Sequence, residues 1–102
     1  MNESSDDISE LVRQHIQAID YKAEVILLFP QGKSNDEEIQ IYVLSPQKVD
    51  FETEQKYLKA CYQVELASKL NLFIYNYSKE KWHQQLSVTP IYRKVSNEGS
   101  LL

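Results

Sequence analysis

Val25-Ile-Leu-Leu-Phe29, Pro30-Gln-Gly-Lys-Ser-Asn-Asp-Glu37 and Glu38-Ile-Gln-Ile-Tyr-Val-Leu44 form one continuous stretch, and its reading decides the fold. The first run is apolar throughout, as in a strand covered on both faces. The second alternates, with Ile39, Ile41 and Val43 on one side and Glu38, Gln40 and Tyr42 on the other. Successive side chains on a strand point to opposite faces, so Glu38 and Gln40 share one. The eight residues between the runs are polar and contain a proline and a glycine, which predicts a loop joining two strands.

Outward from this pair, Ser5 followed by Asp6 and Asp7 is a helix start, because a short oxygen-bearing side chain caps free amides and acids suit the positive helix end. Residues 1–5 read as a disordered N-terminus. The helix is expected to run to about Ile19, with Ile8, Leu11, Val12, Ile16 and Ile19 as the stripe that packs on the sheet. Ser45-Pro46 ends the second strand, since proline cannot donate to a ladder. A second helix is expected from Asp50 to about Lys69, with Phe51, Leu58, Cys61, Tyr62 and Leu66 as its buried face. Leu70–Tyr77 then reads as a third strand, parallel to the second because a helix joins them, with Asn71 at its start. Ser78 caps a short helix to about Leu86, in which Trp82 and Leu86 lie four apart and pack together. Thr89-Pro90 opens another helix, with Ile91, Tyr92 and Val95 inward and Gly99 as its stop.

A chain of 102 residues, 42% hydrophobic and 25% charged, has room for one small α/β (α+β) domain. A core of this size is modest, so a partner protein or a homodimer would add stability. The net charge of -4 opposes nonspecific nucleic-acid binding, which needs a concentrated positive face. Residues 78–102 carry four cations against two acids, a small surplus that reads as a solvated face. Cys61 is the only cysteine and reads as a small core hydrophobe in a reducing compartment. His15, beside the first helix's stripe, has no second histidine at ligand spacing. The acidic N-terminus and the absence of a long apolar run point to a cytoplasmic protein without a membrane segment.

The strand, glycine-containing loop and second strand with paired polar residues at its start resemble minimal nucleotidyltransferase domains, the family related to DNA polymerase beta. So does the C-terminal part, Tyr77-Ser-Lys-Glu-Lys-Trp82 followed by Thr89-Pro-Ile-Tyr-Arg-Lys-Val95 and Glu98-Gly99 before a last apolar strand at Ser100-Leu101-Leu102. The resemblance covers Val25 to Leu102 and implies a mixed sheet of three to four strands with helices packed mainly on one face. It also implies a Gly-Ser phosphate turn, an Asp-x-Asp magnesium pair and a third carboxylate. At the matching positions this chain has Pro30-Gln31, Glu38-Ile39-Gln40 and Asn71. Glu38, Gln40 and Asn71 are therefore the degenerate catalytic positions, and Glu38 is the one candidate metal ligand.

Nucleotidyl transfer uses divalent ions to stabilise the attacking and leaving oxygens, and those ions need clustered carboxylates. Gln40 and Asn71 supply neutral carbonyl oxygens and cannot act as a general base. Gln31, Gly32, Lys33 and Ser34 are the candidate nucleotide-binding residues, although Gly32-Lys33-Ser34 lacks the preceding glycine of a phosphate-binding P-loop. Pro30 removes one backbone amide that a phosphate cradle would use. Asp36 and Glu37 read as a solvated turn, with a substitute acidic site as the other reading. The leading expectation is a nucleotidyltransferase-like domain with a degraded site and no cofactor, acting through a protein partner. The resemblance implies a bacterial setting of the toxin–antitoxin type, with a helical toxin-like partner, or a homodimer. The alternative is an active enzyme that uses Mg2+ and ATP or another NTP to move NMP onto a protein or small-molecule hydroxyl. A third reading is an ordinary small α/β domain.

Overall fold

In a computed structural model that describes residues 3–29 and 39–102, the apolar run becomes β1 (Glu24–Leu28) and the alternating run becomes β2 (Ile39–Ser45). They pair antiparallel, with Ile26 opposite Tyr42. The helix α2 (Phe51–Ser68) crosses over to β3 (Leu72–Ser78), which lies parallel to β2 with Ile74 beside Ile41. A two-residue strand, β4 (Ser100–Leu101), pairs antiparallel with β1 and completes a mixed sheet in the order β3-β2-β1-β4. β1 and β2 occupy its centre, which is why both consist almost wholly of residues that tolerate burial. β2 alternates as expected, yet both its sides are covered: Ile41 and Val43 on one, Tyr42 and Leu44 on the other.

The helix α1 (Glu3–Gln17) and α2 cover one face, closing a core of Ile8, Val12 and Ile16 against Val25, Leu27, Ile41 and Val43. The expectation of helices mainly on one face holds for these two long helices and needs correcting for the rest. The π-helical turn Lys81–Gln85 and the helix α3 (Pro90–Glu98) cover the opposite face, around Leu28, Tyr42, Leu44, Trp82 and Val95. Leaving Leu28, Tyr42 and Leu44 in water would forfeit their burial, roughly 1.5–3 kcal/mol for each large apolar side chain. Trp82 fills the middle of this second layer, with the rings of Tyr42, Tyr77 and Tyr92 centred 5.6, 5.4 and 5.2 Å away. Leu86 packs against the same cluster, as its spacing from Trp82 requires.

The local signals set most boundaries. Asp50 caps α2 by accepting the Thr53 amide at 2.8 Å, and Lys69 ends the helix in the left-handed region at φ 62°. Ser78 accepts the Lys81 amide, and Thr89 accepts the Tyr92 amide ahead of Pro90 at the start of α3. Gly99 ends α3 where the chain passes close to β1: a Cβ there would lie 2.5 Å from both Ile26 Cγ2 and the Val95 carbonyl oxygen. Helix α1 starts at Glu3, two residues before the expected cap, so Ser5 lies within it.

The phase of α2 differs from expectation. Its buried residues are Tyr57, Ala60, Cys61 and Val64, an i, i+3, i+4, i+7 set. Of the predicted face only Cys61 is buried; Phe51, Leu58, Tyr62 and Leu66 face solvent. The small side chains of Ala60 and Cys61 let the helix lie close to the sheet and α1, while a turn of larger residues points away. In α3, Val95 is buried and Tyr92 half-buried as expected, whereas Ile91 is exposed at the first turn. No helix among the described residues is long and apolar enough to cross a membrane.

Candidate functional site

Two regions compete for the functional role. The first lies where β2 and β3 begin. The Ile39 amide donates to the Asn71 carbonyl at 3.1 Å, and Leu72 and Phe73 stand beside Ile39 and Gln40. The register therefore brings Gln40 and Asn71 to one end of the sheet, and strand alternation puts both on the face away from α1 and α2. Glu38 lies outside the described residues, as do Pro30, Asp36, Glu37 and the candidate nucleotide-binding residues Gln31, Gly32, Lys33 and Ser34.

What surrounds Gln40 is aromatic and neutral. The Tyr42 hydroxyl donates to Gln40 Oε1 at 2.6 Å, taking one of that carbonyl oxygen's two lone pairs. The Tyr42 ring stacks on Tyr75 with centroids 5.1 Å apart. Burial, and then the neighbouring phenols of Tyr75 and Tyr77, push the Tyr42 pKa up to about 12, so it is a hydrogen-bond donor throughout the physiological range. Among the described residues no three His, Cys, Asp or Glu side chains converge on a point where a metal ion would sit. Gln40 and Asn71, at the second and third of the three carboxylate positions that the resemblance implies, carry no charge with which to balance a metal ion.

Other chemistry-bearing side chains are engaged structurally. Cys61 sits in the core, where burial, assisted by Glu65, pushes its thiol up to about 11. Such a thiol is a poor nucleophile at neutral pH. His15 is half-buried with Nδ1 2.9 Å from the Leu11 carbonyl, a bond within its own helix. His83 Nδ1 lies 3.0 Å from the Tyr92 hydroxyl on the outer surface.

The second region was missed from sequence, and it follows from the phase of α2. Phe51 is 76% exposed, Leu58 45%, Tyr62 59% and Leu66 62%. At 100° per residue these positions fall on one stripe of the helix, away from the core-facing set. The signal was present as a second set of apolar residues on α2, but both sets look equally suitable for burial until the helix is docked.

Beside this stripe runs β3, whose only strand neighbour among the described residues is β2. The bond from the Ile39 amide to the Asn71 carbonyl fixes the ladder's alternation. Residues 71, 73, 75 and 77 turn their backbone groups toward β2, and Leu72, Ile74 and Asn76 turn theirs outward. The outward Leu72 amide donates to Glu65 Oε2 at 2.9 Å, which caps the start of the edge. Past that cap, a groove of about 290 Å³ opens between Glu54, Tyr57 and Leu58 of α2 and Ile74–Tyr77 of β3. The Tyr57 hydroxyl and Asn76 Oδ1, both in residues that line it, are buried without a hydrogen-bond partner. Phe73 and Tyr75 are exposed on the other side of the strand, so the edge has apolar side chains above and below it.

Glu65 thus holds the strand end in place and limits where the edge is open. The arrangement suits strand addition: backbone hydrogen bonds supply affinity and flanking apolar residues supply contact area. Compared with family models, curated proteins and solved structures, the chain matches none.

Proposed function

We infer that this chain is a nucleotidyltransferase-like domain that has lost the chemistry of nucleotidyl transfer and works by binding protein. The carrying observation is the exposed apolar stripe Phe51, Leu58, Tyr62 and Leu66 along the open edge of β3. Contiguous exposed apolar surface with polar surroundings marks a contact surface in small soluble domains. An unpaired strand edge beside it adds directional hydrogen-bond donors and acceptors. Neither feature serves a reaction on a nucleotide.

The nucleotidyltransferase part of the reading is supported by the register. It sets Gln40 and Asn71, the second and third positions of the family's carboxylate set, at the same end of the sheet and on one face. Loss of transfer follows from their chemistry. A pair of divalent ions at the α-phosphate requires negative ligands to balance it, and two carboxamides leave that charge uncompensated. What remains is a scaffold whose outer helix carries an exposed apolar stripe.

Two-dimensional amide NMR tests the loss of nucleotide chemistry. Titration with Mg2+ and ATP to millimolar concentration is expected to leave the Gln40 and Asn71 amides unmoved. Saturable, magnesium-dependent shifts at those two amides would overturn the reading in favour of an active transferase.

A further inference from the structure

We propose that the polar crevice beyond the ends of β2 and β3 binds a small phosphate monoester that carries hydroxyl groups. The site is separate from the α2 stripe and from the positions of Gln40 and Asn71.

Topology makes the crevice. β2 and β3 run parallel and end level with each other, Ser45 beside Ser78. From there the chain turns to opposite faces of the sheet: β2 leads to α2, which packs with α1, and β3 leads to the π-helical turn that carries Trp82. Where the connections leaving neighbouring parallel strands diverge in this way, a gap opens beyond their carboxyl ends, and open α/β sheets bind ligands there. A cavity of about 340 Å³ lies at that place, between Gln47 and Lys48 of the first connection and Ser78, Glu80, Lys81 and Gln85 of the second. Small-molecule sites span roughly 300–1,000 Å³, so the volume suits a ligand at the small end of that range. Gln40 and Asn71 stand at the opposite end of the same two strands.

Both walls are anchored. Ser78 Oγ accepts the Lys81 amide at 3.1 Å, and the Leu86 amide donates to the Lys81 carbonyl at 3.0 Å, which fixes the turn. Lys79 reaches over the end of β2 to the Lys22 carbonyl at 3.2 Å and to Glu24 at 3.5 Å. Asp50 accepts the Thr53 amide and so holds the far end of the first connection.

The lining selects the ligand. Apart from Pro46 it is polar, which excludes an apolar occupant. Lys48 and Lys81 come from different connections, and among the described residues neither is in an ion pair, whereas Lys79 is. Two lysines against Glu80 make the lining positive in a chain whose net charge is -4. The Ser78 hydroxyl and the carboxamides of Gln47 and Gln85 add neutral donors. A phosphate monoester answers such a set, since it carries about two negative charges at neutral pH and three strong acceptor oxygens. A carboxylate would leave one of the two ammonium groups uncompensated. Glu80 accepts hydrogen bonds only, so it matches a ligand hydroxyl and disfavours bare phosphate.

Two-dimensional amide NMR of the full chain, titrated with glycerol 1-phosphate, with inorganic phosphate and with sodium chloride at equal ionic strength, tests the proposal. Saturable shifts are expected at the amides of Gln47, Lys48 and Ser78 to Lys81 with both phosphates and not with chloride. Glycerol 1-phosphate is expected to bind about tenfold more tightly than inorganic phosphate, the effect of one hydrogen bond to a charged group. Glu80→Gln is expected to bring the two affinities together. K48E/K81E, both at exposed positions, is expected to abolish saturation, whereas Lys94→Glu on α3 leaves it unchanged. Unshifted amides of Ile41, Val43 and Val64 verify that each variant keeps the fold. Shifts that chloride reproduces, saturation that survives K48E/K81E, or equal affinity of the original chain for the two phosphates would overturn the proposal. So would the absence of any saturable shift at tens of millimolar ligand.

Discussion

Tyr42 shows how a polar side chain on the second face of the sheet is committed to structure. Its hydroxyl is committed to Gln40 and its ring is packed between Tyr75 and Trp82, so deprotonation would place a charge within an aromatic layer. The folded pKa is about 12, whereas an unfolded tyrosine titrates near 10. Above about pH 10 the unfolded chain loses this proton first, so the folded state binds more protons and stability falls as pH rises from 10 to 12. Cys61, raised from 9.0 to about 11, contributes a loss with the same sign that begins lower. Denaturant midpoints measured from pH 9 to 12 are expected to drop steeply, and Tyr42→Phe is expected to flatten the upper part of that fall. An identical slope in the variant would assign the alkaline transition to other groups. Asp50, Ser78, Thr89 and Gly99 were legible in the sequence because a cap or a stop depends on a few neighbouring residues. The bond from Tyr42 to Gln40 was not, because it depends on side-chain conformations that the alternation leaves open.

At the scale of elements, α2 carries the lesson about reading periodicity. Its existence, ends and crossover role follow from Asp50, the spacing of apolar residues and the parallel strands on either side. Its rotation does not follow, because Tyr57, Ala60, Cys61 and Val64 form one apolar face and Phe51, Leu58, Tyr62 and Leu66 form another. The larger side chains invite assignment to the core, yet the sheet and α1 accept the smaller set because it allows closer approach. Urea unfolding tests this rotation. Leu58→Glu is expected to change stability by less than about 0.5 kcal/mol, whereas Val64→Ala is expected to cost about 2 kcal/mol. The reverse ranking would mean that Leu58 faces the core. The short helices over the second face have a comparable explanation: β1 and β2 are apolar on both sides, so the sheet requires two layers even though only α1 and α2 are long.

For the whole molecule, the mixed sheet has two edges with different treatment. β4 covers β1 with two residues, and the Leu102 amide adds one more bond to the Val25 carbonyl. β3 is seven residues long and, among the described residues, is blunted only at Leu72 by Glu65, with a large apolar stripe of α2 alongside. Natural sheets usually protect an edge of that kind with charge, proline or a covering segment. The combination of a protected β4 edge and an open β3 edge is what directs the functional reading toward protein contact at one side of the domain. The α/β class and the order of helices and strands were legible in the chain, since each is set by local pattern and by the preference for right-handed crossovers. The contact surface was not, since it depends on which residues are left over after the core has formed.

Site-specific photo-crosslinking in cells that produce the protein tests that surface most directly. Benzoylphenylalanine replaces Tyr62 on the α2 stripe or, as a control, the exposed Lys94 on α3. Irradiation is expected to give protein adducts heavier than the 12.0 kDa chain from position 62 and none from position 94. Equal adducts from both positions, or none from position 62, would contradict a binding surface along α2 and β3.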